Sequence, residues 1–201
     1  MEDPRIEDVH HFWFGDIDDD ARVAERQAGL WWRKSEQTDA EIRERFGDLV
    51  AEAGSGALDG WATNPMGRLA LVILLDQFPR NIHRGTAAAF ADDPKALALC
   101  LDGIEKGHDE RLRPIERVFL YLPMEHAEDA ALQARAVDAF RTLRDAVEPH
   151  QQSAFDTFLD FAEQHRVVID RFGRFPHRNA ILGRPDTPEE EAYLREPGAG
   201  F

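Results

Sequence analysis

The sequence predicts an all-α fold. Helix-start signals recur along the whole chain. Apolar residues repeat at helical rather than alternating spacing. Strand signals are scarce, and the segments between helices are mostly short.

The helices can be placed in order from their ends. Pro4 follows Asp3, a proline at the first helical position behind a capping residue, and that helix closes near Gly15. Asp18, Asp19 and Asp20 put negative charge where a second helix begins, a helix that carries Val23, Leu30 and Trp31. Thr38-Asp39-Ala40-Glu41 reads as a capping box for a third helix through Ile42, Phe46, Leu49 and Val50, ending around Gly54 and Gly56. Asn64-Pro65 opens a fourth. It is apolar at almost every position from Met66 to Phe78 and so should be buried on most sides, with Pro79 as its stop.

Asp93-Pro94 starts a fifth helix with Leu97, Leu101 and Ile104 on one stripe, stopped by Gly107. Pro114 starts a sixth, which Pro123 should end or kink. Residues 127–147 and 151–172 form two longer helices, the second with Phe155, Phe158, Leu159, Ala162, Ile169 and Phe172 at helical spacing. Thr187-Pro188-Glu189-Glu190 is a second capping box before a short last helix, and the tail from about residue 196, ending GAGF, should fray. This makes eight or nine helices in one domain spanning 1–201, with no linker, low-complexity tract or 34-residue repeat.

Composition narrows the function classes. Lys and Arg number 24 against 39 Asp and Glu, a net charge of −15, which would repel a nucleic-acid backbone. The one cysteine, Cys100, sits in an apolar run and reads as a core residue. It allows no intrachain disulfide, which fits a reducing cytoplasm. The N-terminal stretch MEDPRIEDVHHFWFG has no apolar signal segment, and Leu69–Leu75 is too short to span a membrane. Ser35, Ser55 and Ser153 are the only serines and none lies in a GxSxG elbow; GxGxxG and GxxxxGK[ST] are absent.

Against this acidic background two stretches gather positive charge. RFGRFPHRNAILGR, residues 171–184, has Arg171, Arg174, Arg178, Arg184 and His177 with no acid and no lysine. DQFPRNIHRG, residues 76–85, echoes it: both join Phe-Pro to Arg-Asn. Arginine forks match carboxylate or phosphate bidentately, so Arg80, Arg174 and Arg178 are the candidate anion ligands, and Asn81, His177 and Asn179 accompany them. The same arginines could instead find carboxylates elsewhere in the chain.

Asp76 closes an apolar run, so its carboxylate should be buried and partnered, by Arg80 or by an arginine of 171–184. It reads either as a structural ion pair or as a site carboxylate with a tuned pKa. In PMEHAED, residues 123–129, Glu125 and His126 follow a proline break. They should face out of irregular backbone, where an acid/base pair can work. His165 lies on an apolar helical stripe, as a satisfied core histidine or a proton shuttle. A metal held by Glu125, His126, His165 or His177 stays open, although HExxH, cysteine pairs and an EF-hand loop are all absent, and no cofactor is implied. Phe12, Trp13 and Phe14 with Trp31, Trp32 and Trp61 read as core packing, the alternative being that one indole lines a pocket wall.

FWFG, GRLALVILLDQFPRNIHRGTAAAFADD, FLYLPMEHAEDAALQ, RFGRFPHRNAILGR and TPEEEAYL occur in this order from about residue 8 to residue 195. In these blocks the chain resembles the bacterial domain of unknown function 924 family. The resemblance implies an all-helical fold similar to tetratricopeptide-repeat proteins, with irregular helix pairs, and no established activity or catalytic residues. The family pattern often has serine where this chain has Ala127.

The expectation is therefore an all-α, right-handed array of antiparallel helix pairs, in which the loop after the fourth helix meets the loop 173–184 over one cleft. That cleft would bind a small anionic or polar metabolite through Arg80, Arg174 and Arg178, hydrogen-bonded by Asn81 and Asn179, with Glu125 and His126 as acid and base and Asp76 beside them. Binding and catalysis would use the same residues, so enzyme status and oligomeric state stay open. The rival expectation is an interaction module that captures an acidic peptide on a concave helical surface, and a third is that the two motifs only staple the fold, with function elsewhere.

Overall fold

The computed structural model describes residues 3–200, and among these every regular element is helical. The α-helices are α1 Pro4–Phe14, α2 Asp20–Trp32, α3 Glu36–Ser55, α4 Pro65–Val72, α5 Phe78–Ile82, α6 Asp93–Glu105, α7 Pro114–Glu125, α8 Ala130–Ala146, α9 Gln152–Phe172, α10 Asn179–Leu182 and α11 Pro188–Tyr193. Most starts lie where the capping chemistry puts them. Asp3, Asp19, Asn64, Asp129 and Thr187 each accept a backbone N–H from the first turn of the helix they cap.

The third helix starts earlier than its Thr38 box predicts. Ser35 accepts the Thr38 N–H at 3.2 Å and takes the capping role, so Thr38 and Asp39 belong to the first turn. Pro79, expected to stop its helix, is absorbed, and Pro123, expected to end or kink its helix, lies two residues before the helix end. A π-helical turn, Ile73–Gln77, joins α4 to α5, and the Phe78 N–H reaches back five residues to the Ile73 carbonyl. The wider turn gives room for the Pro79 ring, which would clash with the preceding turn of a regular α-helix, so the rod continues to Ile82. Pro123 lies inside α7. It removes one hydrogen bond near the helix end, and the His126 N–H still closes on the Leu122 carbonyl at 2.9 Å. The basic stretch contains its own short turns, Pro176–Arg178 and α10.

The helix count follows from these differences: eleven segments among the described residues, with α4, the π turn and α5 acting as one rod. Leu69 to Leu75 and Phe78 are fully buried, as the unbroken apolar run requires. Neighbours run antiparallel. Arg141 and Arg144 of α8 pair with Glu163 and Asp156 of α9, residue numbers rising on one helix as they fall on the other. Tyr121 and Glu125 of α7 likewise face Phe140 and Gln133 of α8.

Trp13, Phe14, Trp31 and Phe119 form an edge-to-face aromatic centre that Phe78 joins, while Trp32 remains half exposed. Cys100 is a buried core thiol that burial pushes up to about 12. At the tail, the Glu196 and Ala199 N–H groups make turn hydrogen bonds and Gly200 lies against the His177 ring; Phe201 is outside the described residues.

Arg68 ties the rod to α6 from inside. At 1% exposure it donates to the Leu99 and Ala62 carbonyls and to His108 Nδ1, and pairs with Asp102 at 2.6 Å. Gly103 makes room for it: a Cβ there would stand 2.6 Å from Arg68 Cδ. Gly103→Ala should therefore lower unfolding stability by roughly 2 kcal/mol in urea denaturation. An unchanged midpoint would mean that the Arg68 stem can shift at no cost.

Candidate functional site

The π turn places Asp76 at 0% exposure between the rod and the end of α7. Its principal partner is His126, whose Nδ1 lies 2.7 Å from Asp76 Oδ1. Gln77 Nε2 donates to Oδ2, and Arg80 Nη2 stands at 3.5 Å. The expected partner Arg80 is present, but it is joined by closer groups. Arg80 contributes from farther away than Gln77 and than His126, a histidine 50 residues on that no local pattern could reveal. Burial opposes ionisation of Asp76, but His126 and Arg80 outweigh it and hold the carboxyl at about 2. Facing a carboxylate, His126 Nδ1 carries the proton and donates it; Nε2 is the ring atom left for exchange.

Glu125 and His126 do not sit in irregular backbone. Glu125 is the last residue of α7 and only 3% exposed, and His126 caps the helix in helical geometry, because Pro123 is absorbed instead of breaking the helix. Burial, reinforced by the nearby Asp76 charge, pushes Glu125 up to about 8, so at neutral pH it is a protonated acid. His165 Nδ1 lies 3.1 Å from Glu125 Oε1 and donates to the Phe161 carbonyl at 2.8 Å. Burial and then the neighbouring His126 push His165 down to about 3, so this contact joins two neutral groups and is no ion pair. The His126 and His165 rings are 6.3 Å apart. Two carboxyl groups, Asp76 and Glu125, thus hold opposite protonation states around one imidazole.

Arg80 and Arg178 converge here, as the two Phe-Pro motifs suggest. Both guanidinium groups lie over the Phe90 ring, at 4.5 and 4.8 Å, and Phe175 covers Arg178 from another side at 4.5 Å. Arg80 donates to the Ala89 carbonyl and to Asp93. Arg178 is 7% exposed and donates from Nη1 to the His126 carbonyl at 3.0 Å, and its buried Nε has no hydrogen-bond partner among the described residues. Burial, then repulsion from Arg80, lowers it to about 10. The His177 ring lies tilted, 5.6 Å from that of Phe175, and is pushed down to about 4 by burial and then by Arg178.

The other expected anion ligands are committed elsewhere. Arg174 pairs with Glu190 at 2.6 Å and caps the Pro185 carbonyl. Asn81 donates to Asp39, and Asn179 donates to Asp186 and accepts from Arg184. The basic stretch has no acid of its own, but distant acids neutralise it: Glu189 pairs with Arg171 and Glu128 with Arg184. Glu128 also accepts the Phe175 N–H at 2.8 Å and so seats the loop.

Sequence reasoning missed Asp93, Phe90, Gln77 and Glu128. Asp93-Pro94 was legible only as a helix start, and the side-chain direction that sends Asp93 to Arg80 is tertiary. Two surface recesses, about 390 Å³ beside Asp160, Val168 and Tyr193 and about 300 Å³ beside Asp8, His10 and Glu116, include no residue of this cluster. No three His, Cys, Asp or Glu side chains among the described residues converge as metal ligands. No described helix is long and apolar enough to cross a membrane.

Asp76→Ala removes a buried charge from its partners and should destabilise the fold by roughly 3 kcal/mol in denaturant titration; a change within about 0.5 kcal/mol would contradict its burial. Glu125 is raised from about 4.5 to about 8, so its contribution is complete below pH 4.5 and declines as pH rises through 8. His165 and His177 are depressed, and their losses come only as pH falls below about 6.5. Between pH 6.5 and 8 the parent should therefore lose on the order of 1–2 kcal/mol relative to Glu125→Gln. Parallel stability curves for the two proteins would show that Glu125 is ionised throughout.

The family model described as "Bacterial protein of unknown function (DUF924)" matches residues 9–198. Among solved structures, a protein of unknown function from Agrobacterium tumefaciens is similar: 41% identical, with a TM-score of 0.74, over 88% of this chain and 99% of that one. No curated protein matches the chain. With nearly its whole length matched, the chain belongs to the bacterial family of unknown function DUF924.

Proposed function

We propose that the chain binds a small anionic or polar metabolite at the cluster of Asp76, His126, Arg80 and Arg178, and that His126 exchanges a proton with it. One observation carries this reading. A carboxylate with no solvent exposure orients His126 through a 2.7 Å bond, directly beside a buried guanidinium whose Nε is uncommitted. A histidine held in this way by a carboxylate has a defined tautomer that leaves Nε2 for exchange, the arrangement used for general acid–base work. Glu125, protonated at neutral pH, adds a neutral acid next to it without adding charge. A π turn at Asp76 is in keeping with a site, since such turns are frequent at functional positions.

Ligand contacts in this reading fall to Arg80 and Arg178. An acidic peptide would meet Arg171, Arg174 and Arg184 already paired with Glu189, Glu190 and Glu128, and no observation favours that alternative.

A thermal-shift screen of small carboxylates, sulfate and phosphate at constant ionic strength tests the proposal. At about ten times its Kd, a bound anion should raise the melting temperature by about 3 °C. Arg178→Ala should abolish the rise, and Arg174→Ala, at a residue paired with Glu190, should keep it. If no anion shifts the parent, the reading is wrong.

A further inference from the structure

The cluster is already occupied by a carboxylate of the chain itself. Asp93, the first residue of α6, sets its two oxygens 2.8 and 2.9 Å from one nitrogen of Arg80, and 3.8 Å separates it from Arg178. The match is poor. A carboxylate suits a guanidinium when two nitrogens each meet one oxygen. Here one nitrogen faces both oxygens, and Asp93 Oδ1, though buried and close, has no hydrogen bond. Arg178 gains no hydrogen bond from Asp93, and its Nε has no partner among the described residues. The Asp93 side chain is 21% exposed, whereas that of Asp76 is fully enclosed.

We propose that Asp93 is a resident stand-in for the ligand, and that the ligand is a monocarboxylic acid whose carboxylate displaces Asp93 from Arg80 and Arg178. This rests on the reading of the cluster as an anion site and adds the ligand class. Charge decides the class. When His126 acts as a base it is uncharged, and two guanidinium groups then face two carboxylates, Asp76 and Asp93. Exchange of Asp93 for a monocarboxylate conserves that balance. A tetrahedral dianion would add a negative charge next to Asp76, which stands 3.5 Å from the same Arg80 nitrogen. A free carboxylate can also turn to bridge both guanidinium groups, which Asp93, tethered to α6, does not. Burial holds the Asp93 carboxyl above its ordinary range, so its charged form is the less well compensated of the two and the easier to displace. The ligand's body would then extend toward His126.

The test is calorimetric titration of the full chain with acetate and with sulfate at equal ionic strength, for the parent and for Asp93→Asn. The variant removes the competing charge and keeps the side-chain shape. Acetate should bind the variant at least about tenfold more tightly than the parent, and sulfate should remain the weaker ligand of the parent. Sulfate equal to or stronger than acetate in the parent leaves an anion site but overturns the monocarboxylate class. Unchanged or weaker acetate binding in a folded Asp93→Asn overturns the displacement. No binding of either anion to either protein overturns the site itself, and the inference with it. If Asp93→Asn does not fold, the parent's ranking of acetate over sulfate decides the class, and Asp93→Ser takes its place for the competition.

Discussion

A carboxylate without contact with water must be compensated from inside the protein, and much of this structure follows from that requirement at Asp76. An isolated buried charge costs several kcal/mol unless partners surround it. The compensation comes from His126 at the end of α7, from Gln77 next door, and from Arg80 one turn on. The π turn belongs to the same solution, since it carries Asp76 and lets the rod continue past Pro79. The apolar rod is thereby pinned, at its most polar point, to a helix end 50 residues away.

Fixing one charge sets the state of its neighbours. The Asp76 charge and the dry surroundings keep Glu125 protonated, and burial keeps His165 and His177 neutral. Arg80 and Arg178 lie on the faces of Phe90 and Phe175, where aromatic rings replace part of the lost water. The result is a cluster sorted into charged and neutral members, with Arg178 the least satisfied of them. The rest of the basic stretch is tied down: Glu189, Glu190 and Glu128 neutralise Arg171, Arg174 and Arg184 and hold the stretch where Arg178 can reach inward. One motif therefore contains both staples and a candidate ligand, and its members divide by the acids they meet.

Much of the fold was legible residue by residue. Asp3, Asp19, Asn64, Asp129 and Thr187 cap helices because an acceptor side chain needs only the two or three amides that follow it. The failure was at Pro79, where a local rule against proline met a buried rod with a widened turn and lost. At the candidate site, convergence of Arg80 and Arg178 was foreseeable from the repeated Phe-Pro and Arg-Asn words, whereas Arg174, Asn81 and Asn179 share those words and turn elsewhere. Nothing near position 93 in the chain announces that its carboxylate faces Arg80 across a loop.

The sequence by itself determined that the chain is helical, that its fourth helix is the buried one, that Asp76 needs a partner, and that the DUF924 blocks run through nearly all of it. These depend on periodicity, end chemistry and the cost of burying charge, all of which act within a few residues. Only the tertiary structure decided that the partner is His126, that Glu125 lies enclosed at a helix end, and that Asp93 fills the space between two arginines. Those outcomes depend on which side chains packing brings within a few ångströms, and dehydration then sets which of them carry charge.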